Sequence, residues 1–210
     1  AYDPCVRLAG AEPIPIVTSM ADGFQLGEQQ LRAALAPNAK ALLLSYPNNP
    51  TGAVLAPGRM DEIARLAEQR DLVIISDEIY DRFVYKAPHR CFAALPGMQA
   101  RTILLGGFSK SYAMTGWRIG YACAPAAILE AMHRIHQYVL MSAPTLAQLG
   151  ALEALSCPRD CADEIIAEFA ARRAVVVKGL RTIGLPCAEP GGAIYAFPSI
   201  CETGLDCETF

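Results

Sequence analysis

Three short apolar runs, each followed at once by polar and turn-forming residues, constrain the fold of this chain most strongly. They occupy positions 41–44, 72–75 and 102–105. Each run has the length of a buried strand, and a helical apolar period at 57–70 separates the first from the second. Such an alternation is typical of βαβ crossovers and a largely parallel sheet. The sequence therefore predicts an α/β fold.

The remaining pattern predicts the elements around this sheet. Strands are predicted at 14–17, 41–46, 72–76, 101–105, 119–123 and 193–197. Helices are predicted at 28–36, 57–70, 126–141, 145–155 and 159–183, with short ones at 90–94 and from 202 onward. We expect the Cys157-Pro158 step to separate the last two long helices, because proline favours a helix start.

Polar motifs follow all three apolar runs. Asn49 lies in a turn after the first, Asp77 and Tyr80 follow the second, and Lys110 and Arg118 follow the third. Open α/β sheets bind ligands at the carboxyl ends of their strands, where these side chains would meet. Taken singly, each motif has an ordinary explanation: a tight turn, a helix cap or a solvated lysine.

In this order, the motifs resemble the class I/II aminotransferases of the fold-type I pyridoxal-phosphate enzymes. The matching segments are Asn49-Pro50-Thr51-Gly52, Ser76-Asp77-Glu78-Ile79-Tyr80, Ser109-Lys110 and Thr115-Gly116-Trp117-Arg118-Ile119-Gly120. The resemblance runs from residue 1 to about 210. It implies a three-layer αβα sandwich with a mostly parallel sheet, followed by the beginning of a smaller α+β domain. The implied units are a large cofactor-binding domain at 1–157, lacking its N-terminal part, and a connecting helix with a truncated small domain at 158–210.

The resemblance also implies a cofactor, pyridoxal 5'-phosphate, and roles for particular residues. Lys110 is expected to form the Schiff base with its aldehyde and then to move the substrate proton. Asp77 is expected to pair with the pyridine nitrogen, because a nearby carboxylate favours the protonated ring. Tyr80 and Asn49 are expected at the phenolic oxygen, and the peptide between Asn49 and Pro50 is expected to be cis.

Further roles concern the phosphate and the ring. Arg118 offers a planar fork that suits a phosphate, although a surface ion pair is the alternative. Many relatives have a serine three residues before the lysine, where this chain has Gly107. Ser109 is therefore a substitute candidate for that phosphate contact. Tyr2 aligns with the aromatic residue that stacks on the pyridine ring in many relatives.

The activity implied by the resemblance is transfer of an amino group between an amino acid and a 2-oxo acid, in a cytoplasmic homodimer. Two alternatives stay open. A carbon–sulfur β-lyase shares these motifs, and so does the aminotransferase-like sensor domain of some transcription regulators. By the same resemblance, the arginine that binds the substrate carboxylate is expected in a C-terminal region beyond these 210 residues.

Composition excludes several other classes of protein. A net charge of -3 argues against a nucleic-acid surface. No apolar run approaches the roughly 20 residues needed to cross a membrane, and the first residues lack the pattern of a signal peptide.

The eight cysteines are scattered, which indicates mostly reduced core residues rather than a disulfide scaffold. Cys157 and Cys161 are four apart but form no CxxC pair, so no metal site is expected. His133 and His136 are expected to be partly exposed helix residues.

Overall fold

The computed structural model describes residues 2–86, 88–156 and 163–210. Its sheet has four strands: β1 (Ala41–Ser45), β2 (Val73–Asp77), β3 (Thr102–Gly107) and β4 (Gly120–Cys123), in that order across the sheet. The first three strands run parallel, which confirms the predicted parallel sheet. Strand β4 is antiparallel to β3. The connection between them contains only short helical turns, so it makes no crossover and the chain returns beside β3.

Seven α-helices surround this sheet among the described residues. They are α1 (Tyr2–Leu8), α2 (Glu28–Ala34), α3 (Pro57–Gln69), α4 (Phe108–Ser111), α5 (Ala126–Val139), α6 (Thr145–Ser156) and α7 (Asp163–Thr182). Helix α1 was not predicted, whereas α2, α3, α5 and α6 match their predicted positions. The predicted helix start at 159 and the break at 157–158 lie outside the described residues, as do Cys157 and Cys161.

The main core lies between α3 and the first strands. Helix α3 begins at Pro57, which occupies a first-turn position where a missing N–H costs nothing. Its apolar face is fully buried, with Ile63 and Leu66 at 0% exposure against Ile74 of β2, which is also at 0%. Helix α3 thus packs against β1 and β2, whose ends carry the first two polar motifs.

Helices α5 and α6 are packed much less. No residue of α5 is buried, and α6 buries only Ala147 and Ala151. Large apolar side chains are exposed on both helices, namely Ile135, Tyr138, Val139, Leu146, Leu149, Leu152 and Leu155. None of the described helices is both long and apolar enough to cross a membrane.

Three predictions from sequence are wrong. Residues 14–17 form no strand, and 193–197 contribute only isolated bridges beside that range, at Gly192 and Pro198. An apolar run becomes a strand only when a neighbour exchanges a ladder of backbone hydrogen bonds with it. Residues 14–17 have no such neighbour among the described residues, and in 193–197 a single N–H, that of Ala193, donates to another described segment, at the Phe83 carbonyl. Of the six cysteines that the structure describes, most are not in the core: Cys187 is buried and Cys91 half-buried, while Cys5, Cys123, Cys201 and Cys207 are exposed.

Two smaller predictions have mixed outcomes. The predicted helix from 202 onward is a short 3-10 turn at Cys201–Thr203, and the one near 90–94 is a 3-10 turn at Phe92–Ala94. His133 and His136 lie exposed on α5, as expected.

Candidate active site

The three polar motifs meet at one edge of the sheet. Ser45 at the end of β1 is level with Asp77 at the end of β2, and Asp77 is level with Leu105 near the end of β3. Because the strands are parallel, the segments that follow them leave the sheet on the same side. The three strand ends that carry the motifs therefore lie at one edge of the sheet.

Asp77 is the last residue of β2, and its carboxylate is only partly satisfied. Its Oδ1 accepts a hydrogen bond from the backbone N–H of Ile79 at 3.2 Å, an Asx turn that ends the strand. Its Oδ2 accepts from the hydroxyl of Tyr2, which brings the predicted ring-stacking residue to this carboxylate. Burial raises the pKa of Asp77 above its ordinary value, and the neighbouring Glu78 raises it further. A cation bound beside Asp77 would offset that burial cost.

Tyr80 and Asn49 are brought together through a third residue, Tyr195. The hydroxyls of Tyr80 and Tyr195 lie 2.5 Å apart, and the side-chain amide of Asn49 donates to the Tyr195 hydroxyl at 3.2 Å. Burial, and then the hydrogen bond with Tyr195, raises the pKa of Tyr80, so its hydroxyl stays protonated and can donate. The peptide between Asn49 and Pro50 is cis, as predicted, and so is that between Tyr46 and Pro47.

Lys110 lies on α4, directly after β3, and faces the same side. Its Nζ is 5.9 Å from the centre of the Tyr80 ring. The hydroxyl of Ser111 donates to Asp81 at 2.6 Å, which ties the lysine segment to the turn after β2. The amine is therefore held beside the phenol of Tyr80 by a contact between neighbouring strand ends.

Two glycines at the end of β3 allow this close approach. A Cβ on Gly106 would lie 2.4 Å from the ring of Tyr121 on β4, and a Cβ on Gly107 would lie 2.8 Å from Cδ1 of Ile79. Any side chain at these positions would push β3 away from its neighbours. Many relatives carry a serine at the position of Gly107. In this chain, Ile79 from the turn after β2 occupies the space that a side chain at position 107 would need.

Arg118 and Ser109 are joined to each other through Thr115. The guanidinium of Arg118 donates to the Thr115 carbonyl at 2.8 Å, and the Thr115 hydroxyl donates to the Ser109 carbonyl at 2.9 Å. Arg118 has a left-handed backbone, with φ of 53°, and is exposed. These contacts lie within the lysine segment, so the phosphate roles of Arg118 and Ser109 stay predictions.

Sequence reasoning missed two features of this edge. Tyr195 was placed in a predicted strand and given no role of its own, although it lies in a glycine-rich aromatic segment, Pro190 to Pro198, that could have marked a close approach to the site. The pair of buried Glu78 and half-buried His89, 2.5 Å apart, was also missed, because a carboxylate and a histidine eleven positions apart carry no local signal.

The side chains that meet at this edge have functional groups that suit one kind of small molecule. A primary amine, a carboxylate, a phenol and an amide suit a molecule with an aldehyde, a basic ring nitrogen and an acidic oxygen. Pyridoxal 5'-phosphate has all three groups. The α/β fold and this site together define a protein of the pyridoxal-phosphate-binding class.

Comparison with known proteins gives the family. The model of aminotransferase class I and II matches residues 1–208, and the chain belongs to this family. Members of the family use pyridoxal 5'-phosphate as their cofactor. The chain is 42% identical over 212 residues to aromatic-amino-acid aminotransferase 2 of Thermococcus litoralis, covering 100% of this chain and 54% of that protein.

Solved structures agree with this assignment. The aromatic aminotransferase from Pyrococcus horikoshii OT3 superimposes with a TM-score of 0.96 at 41% identity, over 100% of this chain and 57% of that one. The aspartate aminotransferase of Thermus thermophilus with maleate gives 0.90 at 33% identity, over 96% and 53%. The predicted fold class is confirmed. The chain spans about half the length of the relatives that it matches.

Proposed function

We propose that this chain supplies the catalytic core of a pyridoxal-phosphate-dependent aminotransferase, which moves an amino group between an amino acid and a 2-oxo acid. The observation that supports this most is the convergence of Lys110, Asp77 and Tyr80 at one sheet edge. Family membership supports the same reaction class.

In this proposal, each group acts on one part of the reaction. Pyridoxal phosphate, when bound, supplies an aldehyde for amines and a ring that withdraws electrons from the substrate carbon. Lys110 holds the cofactor through its amine, and after release it carries a proton to and from the substrate Cα. Asp77 keeps the ring nitrogen protonated, because a carboxylate in a partly buried site favours a neighbouring cation.

The remaining residues are proposed to hold and orient the cofactor. Tyr80 and Asn49 donate toward the cofactor's phenolic oxygen and so stabilise its anionic form. Arg118 and Ser109 are proposed at the phosphate, and Tyr2 against the ring, where its hydroxyl already contacts Asp77. The division into a cofactor-binding domain at 1–157 and a small-domain portion at 158–210 is part of the same proposal.

A homodimer and the substrates belong to the proposal as well. The exposed apolar side chains of α5 and α6 provide surface that a second copy would cover. The relatives' names include aromatic amino acids and aspartate, so these two donor types are the first to test.

The test uses full-length protein with pyridoxal phosphate, tyrosine or aspartate as donor, and 2-oxoglutarate as acceptor. Formation of glutamate in step with loss of the donor supports the proposal. As a matched control, Lys110→Arg keeps the charge but should abolish the exchange. Release of pyruvate and ammonia from cysteine conjugates, with no glutamate formed, would replace the proposal with a β-lyase.

A further inference from the structure

The segment after α7 is bonded directly to the turn that carries Asn49. The carbonyl of Gly52 accepts hydrogen bonds from the backbone N–H groups of Gly191 and Gly192, at 2.8 and 2.9 Å. Gly52 has φ of 68°, and a Cβ there would lie 2.4 Å from the Pro190 Cβ. The two segments therefore touch with no room for a side chain between them.

The same segment is held from the other side by the chain that follows Tyr80. The N–H of Ala193 donates to the Phe83 carbonyl at 2.8 Å, and the hydroxyl of Tyr85 donates to the Ala193 carbonyl at 2.6 Å. Tyr195 lies two residues further on. Its backbone is thus placed by contacts to both of the motifs that supply Asn49 and Tyr80.

The side chain of Tyr195 connects those two motifs. Its hydroxyl accepts from the Asn49 amide at 3.2 Å and lies 2.5 Å from the Tyr80 hydroxyl, while the Tyr80 and Tyr195 rings pack edge to face at 5.6 Å. A hydroxyl that accepts from an amide keeps its own hydrogen for donation. Donation from Tyr195 to the Tyr80 oxygen leaves the Tyr80 hydrogen free for another acceptor.

We propose that Tyr195 is a positioning residue, which orders the hydrogen bonds Asn49 to Tyr195 to Tyr80 so that Tyr80 donates to the phenolic oxygen of the cofactor. This inference rests on the proposed function. Hydrogen bonds in a chain polarise one another, so the donation from Tyr195 makes Tyr80 a stronger donor. A stronger donor stabilises the anionic oxygen, and this lowers the pH at which the visible absorbance of the bound cofactor changes.

The experiment measures that pH midpoint in full-length protein loaded with pyridoxal phosphate. Tyr195→Phe removes the hydroxyl and should raise the midpoint by about 0.5 to 1 pH unit, since one hydrogen bond is lost from the anion's support. Tyr85→Phe is the matched control, because it removes a hydroxyl that bonds to the same segment without touching Asn49 or Tyr80. Its midpoint should equal that of the wild type.

A second variant decides the matter if Tyr195→Phe does not fold. Replacing Tyr195 with 3-fluorotyrosine keeps the ring and makes the hydroxyl a stronger donor, so the midpoint should fall. Equal midpoints in wild type and in either folded Tyr195 variant would overturn the role of Tyr195, as would an equal shift in Tyr85→Phe. A wild-type protein that binds no pyridoxal phosphate would instead overturn the proposed function, and this inference with it.

Discussion

Two adjacent carboxylates at the end of β2 have opposite surroundings. Glu78 is 5% exposed, and its Oε1 accepts from the Ser76 hydroxyl at 2.8 Å and from the Phe92 N–H at 2.9 Å. Its Oε2 lies 2.5 Å from Nε2 of His89. Every oxygen of Glu78 is therefore paired within the protein, on the side of the sheet that faces α3.

Asp77 points to the other side of the same strand, since successive side chains alternate. It is only partly buried and accepts from one backbone N–H and from Tyr2. Burial raises the pKa of Asp77, so its ionised form lacks the full support that water would give. A carboxylate on one face of the strand is therefore held by the protein itself, whereas the carboxylate on the other face can still bind a ligand.

The largest expected effect tests whether the Asp77 side is the reactive one. Changing Lys110 to Ala removes both the attachment and the proton carrier, so turnover in full-length protein should fall by about 10⁴-fold or more. Borohydride reduction of the loaded wild type should fix the cofactor to Lys110, as peptide mapping would show. Lys40→Ala, at an exposed site, is the control and should keep its activity. Attachment to Lys40, Lys86 or Lys178 would contradict the assignment.

Asp77→Asn should have the next largest effect. The change keeps shape but removes the charge that holds the ring nitrogen protonated, so kcat/KM should drop by about 10²- to 10⁴-fold, several kcal/mol of transition-state stabilisation. Steady-state kinetics on full-length protein measure this. Asp71→Asn is the control, since Asp71 is exposed and its φ of 48° suits asparagine. Near-normal turnover in the Asp77 variant would show that the Asp77 carboxylate has no role in the reaction.

Glu78→Ala should affect stability more than chemistry. It leaves His89, Ser76 and the Phe92 N–H without their acceptor in a buried place, which should lower the free energy of unfolding by about 1 to 3 kcal/mol. Urea denaturation measures the loss, with Glu153→Ala on exposed α6 as control. A stability equal to that of the wild type would show that the paired oxygens of Glu78 do not anchor this side of the sheet.

The smallest expected effect is a gain in stability, whereas Glu78→Ala is expected to cause a loss. The pKa of Asp77 is higher in the folded chain than its ordinary value. Ionisation of Asp77 therefore lowers the protein's free energy of unfolding as pH rises through that folded pKa. The non-titrating Asp77→Asn variant should therefore match the wild type most closely in acid and gain on it toward neutral pH, without cofactor. Urea midpoints across a pH series measure the gap. Saturating pyridoxal phosphate should narrow it, and a gap that grows toward acid pH would contradict the sign.

The sequence predicted the sheet well because its strands are locally encoded. Apolar runs of strand length, separated by the amphipathic period of α3, leave few arrangements other than a parallel sheet. Strand ends that carry Asn49, Asp77 and Lys110 then had to share one edge. The predicted strand at 14–17 failed for the complementary reason, because its pattern specifies extended backbone but not a neighbour to pair with.

The local sequence pattern could not show which of Asp77 and Glu78 is hydrogen-bonded within the protein. Nor could it show that Tyr195 contacts Asn49. Which carboxylate is paired depends on His89 and Phe92, which reach β2 only after the chain has turned back. Tyr195 meets Asn49 across 146 positions of sequence, through backbone contacts at Gly52 that no nearby residue specifies.

The sequence alone was enough to predict the four strands of the sheet, their polar ends and the family to which the motifs belong, since each depends on neighbours within a few residues. Packing in three dimensions set which carboxylate is hydrogen-bonded within the protein, which hydroxyls meet, and which apolar helix faces stay exposed on α5 and α6. Hydrogen bonding and burial act over a few ångströms in space, so their partners are set by packing and not by distance along the chain.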